Sequence, residues 1–178
     1  MEQVLKKKLK KIKSVKWTRD PDAPNPRKDK DLFTHMIFKD LSLTIGDVTE
    51  INTEQEWYKI YDEIQKTKSV IEIKPVYVRD NPQKEIVLSF ENLTPAYDVR
   101  MIGYMYMTKD QYLNIGMTSE EKDLEVIDTI FNFELKYYLN YLSGTLINLE
   151  CEHMDGEKFN VHIAPEDIDR YIDTMIWM

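Results

Sequence analysis

Hydrophobic positions fall into two rhythms along the chain. The longest helical rhythm is Leu124, Ile127, Phe131, Leu135, Tyr138 and Leu142, which recur at three- and four-residue steps and predict the buried stripe of one long helix. Thr118-Ser-Glu-Glu121 supplies a capping box for its start, and Ser143-Gly144 a stop. A second capping box, Thr53-Glu-Gln-Glu56, opens a helix with Trp57, Ile60, Tyr61 and Ile64 on its apolar face. A short helix is expected over 109–115. Pro165 begins a last helix that turns Ile168, Tyr171, Ile172, Met175 and Ile176 to one side.

Between these segments the period drops to two. Strands are predicted over 13–19, 32–43, 70–78, 85–90, 100–107, 146–152 and 157–162. The stretch 100–107 is the most apolar and belongs at the centre of a sheet, so Tyr104-Met-Tyr-Met107 reads as core strand. Pro75 moves its strand toward an edge or a bulge. Met154-Asp155-Gly156 signals a hairpin turn, with Asp155-Gly156 at its tip. The order of elements predicts an α+β fold, a mostly antiparallel sheet with helices packed on it in a single domain over 13–178. Residues 1–12 form a basic arm or short helix ahead of it, in which Leu5, Leu9 and Ile12 keep helical spacing among lysines.

Charge divides the chain. Residues 1–30 hold eleven Lys/Arg and four acids, whereas the remaining residues hold thirteen bases and twenty-eight acids, and the total is −8. So acidic a body repels nucleic acid and anionic membranes and attracts basic surfaces. Direct nucleic-acid binding is therefore not expected. One cysteine allows neither an intramolecular disulfide nor a thiolate zinc site. No apolar stretch follows the basic N-terminus, and no run approaches a membrane span. The expected setting is the cytoplasm, with no cofactor and no metal.

Two acidic rows stand out. Glu121, Glu125 and Asp128 lie at i, i+4, i+7 opposite the apolar stripe of the long helix, and Glu166, Asp169 and Asp173 line the last helix. Carboxylates in such rows can imitate a phosphate backbone and occupy a basic channel; charge rows are more often solvated helix faces. The hairpin offers the reactive-looking set. With a two-residue tip, Cys151 faces Asn160 across the strands, and His153 and His162 project on the same side. The competing reading is a small buried cysteine beside structural histidines. A metal reading would use Glu152, His153, Asp155 and His162, which lack short paired ligand spacing. Lys6 to Lys16 could reach nucleic acid, an anionic membrane or the protein's own acidic body. The Pro-dense loop ending at Arg27 and Lys28 is punctuation or a rigid protruding contact.

Several blocks in order resemble a family of small, mostly uncharacterised proteins carried by phages and mobile elements of Gram-positive bacteria. They are Asp22-Ala-Pro-Asn-Pro-Arg27, Ile45-Gly46-Asp47, Ile73-Lys-Pro-Val-Tyr-Val78, Pro95-Ala-Tyr-Asp98, Ile102-Gly-Tyr-Met-Tyr-Met-Thr-Lys109 and Tyr138-Leu-Asn-Tyr-Leu-Ser-Gly144, over about residues 13–152. The family usually has a His-Arg pair where this chain has Lys39-Asp40, and a Gly-Ser-rich stretch where Ile86 to Phe90 is apolar. The resemblance implies a phage or prophage accessory gene and no particular activity. Taken together, the residues lead to a non-enzymatic binding protein whose partner is a host protein or nucleoprotein complex with a basic groove, inhibited through Glu121, Glu125, Asp128, Glu166, Asp169 and Asp173. The competing classes are a small Cys/His hydrolase built on the hairpin and a self-associating phage regulatory homodimer.

Overall fold

The computed structural model describes residues 12–28, 32–38, 47, 56–67, 69–80, 86–91, 99–118 and 122–177. The chain is α+β, as its two periods predict, but the strands divide into two antiparallel sheets where one was expected. The contacts group the chain into two compact units, one made of residues 1–25 and 137–178 and the other of residues 26–136. The basic arm before Ile12 and the capping residue Thr53 lie outside the described residues.

The first unit carries the strands β1 (Ile12–Arg19), β6 (Ile147–His153) and β7 (Lys158–Ile163) in the order β1-β6-β7, and the helix α4 (Ile168–Trp177). Strict alternation gives this sheet one apolar face. Val15, Leu149, Cys151 and Ile163 are buried there with Ile172 of α4, and Trp17, Phe159, Val161, Ile168 and Tyr171 pack against them. The opposite face is polar, built from Ser14, Lys16 and Thr18 beside Asn148, Glu150 and Glu152 and then Lys158, Asn160 and His162. α4 follows a 3-10 turn, Pro165–Asp167, because Pro165 supplies the helical φ at a position whose N–H has no intrahelical partner.

In the second unit, β2 (His35–Phe38), β3 (Val70–Asp80), β4 (Ile86–Ser89) and β5 (Val99–Thr108) take the order β2-β5-β3-β4. β5 lies inside the sheet and is buried on both faces, as its unbroken apolar run predicts. Tyr104 and Tyr106 pack with Ile37 against Ile60 and Ile64 of α1 (Trp57–Thr67). Met105 pairs with Lys74 on the other side, where Lys74 meets Asp128 of α3 (Leu124–Leu142) at 2.6 Å and the rings of Phe90 and Phe131 stand 5.8 Å apart. The sheet is thus sandwiched between α1 and the N-terminal part of α3. The register of β3 shifts between Val76 and Tyr77, one residue past Pro75, in keeping with a bulge near the proline.

α3 begins later than its sequence signals predict. Lys122 and Asp123 are not helical, and the Asp123 carboxylate accepts from the N–H groups of Glu125 and Val126 at 3.1 Å each. Asp123 is therefore the N-cap, and the Thr118 capping box does not start this helix. Its end is as expected: Gly144 sits at φ +59, with its N–H bonded to the Tyr141 carbonyl and that of Thr145 to the Asn140 carbonyl. The short helix α2 (Lys109–Asn114) carries a complete capping box of Thr108 and Gln111.

Candidate functional site

Of the six acids predicted to face a partner, four have described side chains, and three of these, Glu125, Glu166 and Asp169, are plainly exposed. Asp128 is half-exposed and closes its ion pair with Lys74, whose ammonium also lies over the Phe90 and Phe131 rings at 5.5 and 5.7 Å. Glu121 lies outside the described residues, and α3 begins at Leu124. Glu166 belongs to the 3-10 turn and accepts from the Asn140 amide at 3.3 Å; Asp169 sits in the first turn of α4, followed by the exposed Arg170. Asp173 is within α4. The described members of the two rows are therefore separate carboxylates, with Lys74 against Asp128 and Arg170 next to Asp169.

The hairpin does not assemble its predicted constellation. Its loop has three residues, since the His153 N–H bonds the Glu157 carbonyl and the Gly156 N–H bonds the His153 carbonyl, with Gly156 at φ +91. A three-residue loop shifts the register by one, so Cys151 faces Phe159 and Asn160 faces Glu150. His153 stays on the Cys151 face, its ring 5.3 Å from Phe159. His162 moves to the polar face, where its Nε2 lies 3.0 Å from the Asp20 carboxylate. Burial pushes the Cys151 thiol up to about 11, and its side chain is 2% exposed. That thiol is a core atom held in its protonated form. No group of three or more His, Cys, Asp or Glu arranged to hold a metal occurs among the described residues.

A centre that no motif announces lies in the second unit. Arg27 is buried in the 3-10 turn Pro26–Lys28, so the Pro-dense loop turns inward at this residue while Lys28 remains exposed. The guanidinium donates through Nε to Asp47 Oδ1 at 2.8 Å, through Nη1 to Glu134 Oε2 at 3.0 Å, and through Nη2 to the Thr34 carbonyl at 2.7 Å. Glu134 also accepts from the Thr34 hydroxyl and, at 2.7 Å, from the Phe33 N–H. Asp47 accepts from the Met36 N–H at 3.0 Å and stands 3.5 Å from His35 Nδ1. Burial alone would raise the Asp47 carboxyl, but the bonds from His35 and Arg27, the Arg27 charge and the Met36 N–H together hold it below its ordinary value. Tyr106, buried beside this carboxylate, is pushed up to about 12 by burial first and by the Asp47 charge second.

Every nitrogen of Arg27 is committed to a partner in the fold, so the guanidinium is not aimed at a ligand. The arrangement works as a clasp that ties Arg27, residues 33–36 and Asp47 to α3. One signal for it was present in the sequence: Glu134 lies three residues after Phe131 and four before Tyr138, on the apolar stripe of the long helix. A carboxylate there must be buried and must find a cation. Set against known proteins, the chain matches no family model, no curated protein and no solved structure. No helix among the described residues is long and apolar enough to cross a membrane.

Proposed function

We propose that the protein acts by binding, as a phage-type accessory protein that occupies the basic groove of a host nucleic-acid-handling or defence complex and so inhibits it in the host cytoplasm. The observation that carries this reading is the charge: residues 31–178 hold twenty-eight acids and thirteen bases. Five of the described acids, Asp47, Glu72, Asp128, Glu134 and Glu152, are paired with Arg27, Lys74, Lys122 and Lys13. Glu125 and Asp169 are exposed, and Glu166, also exposed, already accepts from the Asn140 amide. The partner-facing carboxylates are therefore fewer than the predicted rows, and Asp128 acts first as the counter-ion of Lys74.

The separated hairpin residues support binding over a thiol hydrolase. Association through exposed carboxylates is fast and weakens steeply as salt rises. Affinity purification of the tagged chain from its bacterial host tests this directly. The expected result is one nucleic-acid-handling complex that elutes with salt and is lost from the E125K/E166K/D169K variant while that variant keeps its circular dichroism and unfolding midpoint. Undiminished capture by the triple variant would remove these residues from the interface, and capture insensitive to salt would remove the electrostatic mechanism.

A further inference from the structure

We propose that Asp155 and Gly156 form a modification site, at which the chain closes on itself to a succinimide and reopens as isoaspartate. The site is independent of the partner-facing carboxylates and needs no second protein. Of the five glycines in the sequence, Gly156 alone follows an Asp or Asn. That order matters, because the attacking nitrogen belongs to the residue after the aspartate, and a side chain there would crowd it. The surroundings are open as well, since a Cβ at Gly156 would meet nothing within 4 Å.

The hairpin tip presents both reacting groups to water. Met154, Asp155, Gly156, Glu157 and Lys158 are all exposed, and Gly156 sits at φ +91 in the left-handed region. Asp155 Oδ1 accepts from the Glu157 N–H at 3.0 Å. To reach a nitrogen two residues ahead, the side chain curls forward along the chain, past the peptide that carries the Gly156 nitrogen. One contact opposes the reaction: the Gly156 N–H donates to the His153 carbonyl at 3.0 Å. That is a single bond at an exposed tip, and such bonds open locally at far lower cost than the whole fold.

In the first step the Gly156 nitrogen adds to Cγ of the protonated Asp155 carboxyl group. The nitrogen gives up its proton, the bond from Cγ to the hydroxyl breaks, and one water leaves. Water then adds to one of the two imide carbonyls. Opening at Cγ restores aspartate. Opening at the main-chain carbonyl leaves the chain running through Cβ and Cγ, with the former main-chain carbonyl as a free carboxylate. One water leaves and one enters, so the mass is unchanged and no oxidant or reductant takes part. The product carries an extra carbon in the main chain of a three-residue loop, and loop length fixes hairpin register. The bonds that close this loop, from the His153 N–H to the Glu157 carbonyl and from the Gly156 N–H to the His153 carbonyl, span the added atom. The modification therefore loosens β6 and β7 from the tip inward, beginning at the Glu152–Lys158 pair.

The test ages the full chain in neutral buffer beside a blocked synthetic peptide of residues 152–158. Isoaspartate is read by methyl transfer with an isoaspartyl methyltransferase and located by tandem mass spectrometry. The expected result is accumulation at Asp155 within the time the peptide takes to convert, and none in the Asp155→Glu variant. In the modified fraction, separated by chromatography, the His153 amide should exchange about tenfold faster than in the fresh chain. An unmodified Asp155 after the peptide has converted would show that the folded turn protects the bond, and would overturn the proposal. Isoaspartate that forms only in urea would do the same, since the reaction would then belong to the unfolded chain. Equal accumulation at other acids would overturn the assignment to this turn, and unchanged His153 exchange would overturn the effect on the hairpin.

Discussion

Glu134 concentrates the energetics of the second unit in one side chain. It occupies a position that the helical period reserves for an apolar residue, and only the Arg27 guanidinium, the Thr34 hydroxyl and the Phe33 N–H make its burial tolerable. Removing one partner of such a buried set is costly, about 3–5 kcal/mol, because the remaining charge is left uncompensated. Asp47, on the rim of the clasp, makes this dependence visible with pH. Its folded-state carboxyl is held below 3.8, the value expected unfolded, so its contribution is complete above that value and is lost as pH falls through the lower folded one. We expect Asp47→Asn to lower stability at neutral pH by about 2 kcal/mol, less than a fully buried pair would, because Asp47 is 19% exposed. Urea unfolding of the variant should also change less than that of the native chain between about pH 6 and pH 3. An unchanged acid slope in the variant would show that other groups carry the dependence.

At the scale of elements, periodicity identifies an element where a segment has one clear apolar face or an unbroken apolar run. α1, α3 and β5 are of this kind. Local signals that depend on a single residue fared less well. Asp123 competed successfully with Thr118 to cap α3, since an aspartate directly before the first turn can reach two free N–H groups. A third hairpin residue, Met154, shifted the β6–β7 register by one and sent His162 and Cys151 to opposite faces. Gly103 is an element-scale constraint that apolarity hides. A Cβ there would collide with the Ile37 carbonyl oxygen and with Phe38, on the strand paired beside it. Gly103→Ala should therefore cost about 3 kcal/mol, the upper end for overpacking, with loss of amide protection concentrated at Met36, Ile37 and Phe38. Uniform loss of protection across the sheet, or none, would contradict this local account.

For the whole molecule, the alternation of strands and helices made the α+β class legible, but not the division of the strands into two sheets. Which strands pair depends on contacts far apart in sequence, such as β1 with β6, and no local pattern encodes them. The acidic balance was legible at once, whereas the spending of individual acids was not. Asp128 serves Lys74, and Glu134 and Asp47 serve Arg27, through contacts that only the tertiary structure creates. What remains at the surface includes the exposed carboxylates of Glu125, Glu166 and Asp169, on which the proposed activity rests. The most direct test is competition. The host complex captured with the protein is bound to a labelled nucleic acid, and the protein is titrated in at fixed low salt. The account predicts displacement of the nucleic acid in proportion to occupancy, with the E125K/E166K/D169K variant inactive. A ternary complex in which nucleic acid and protein are bound together, or displacement by the triple variant as efficient as by the native chain, would contradict it.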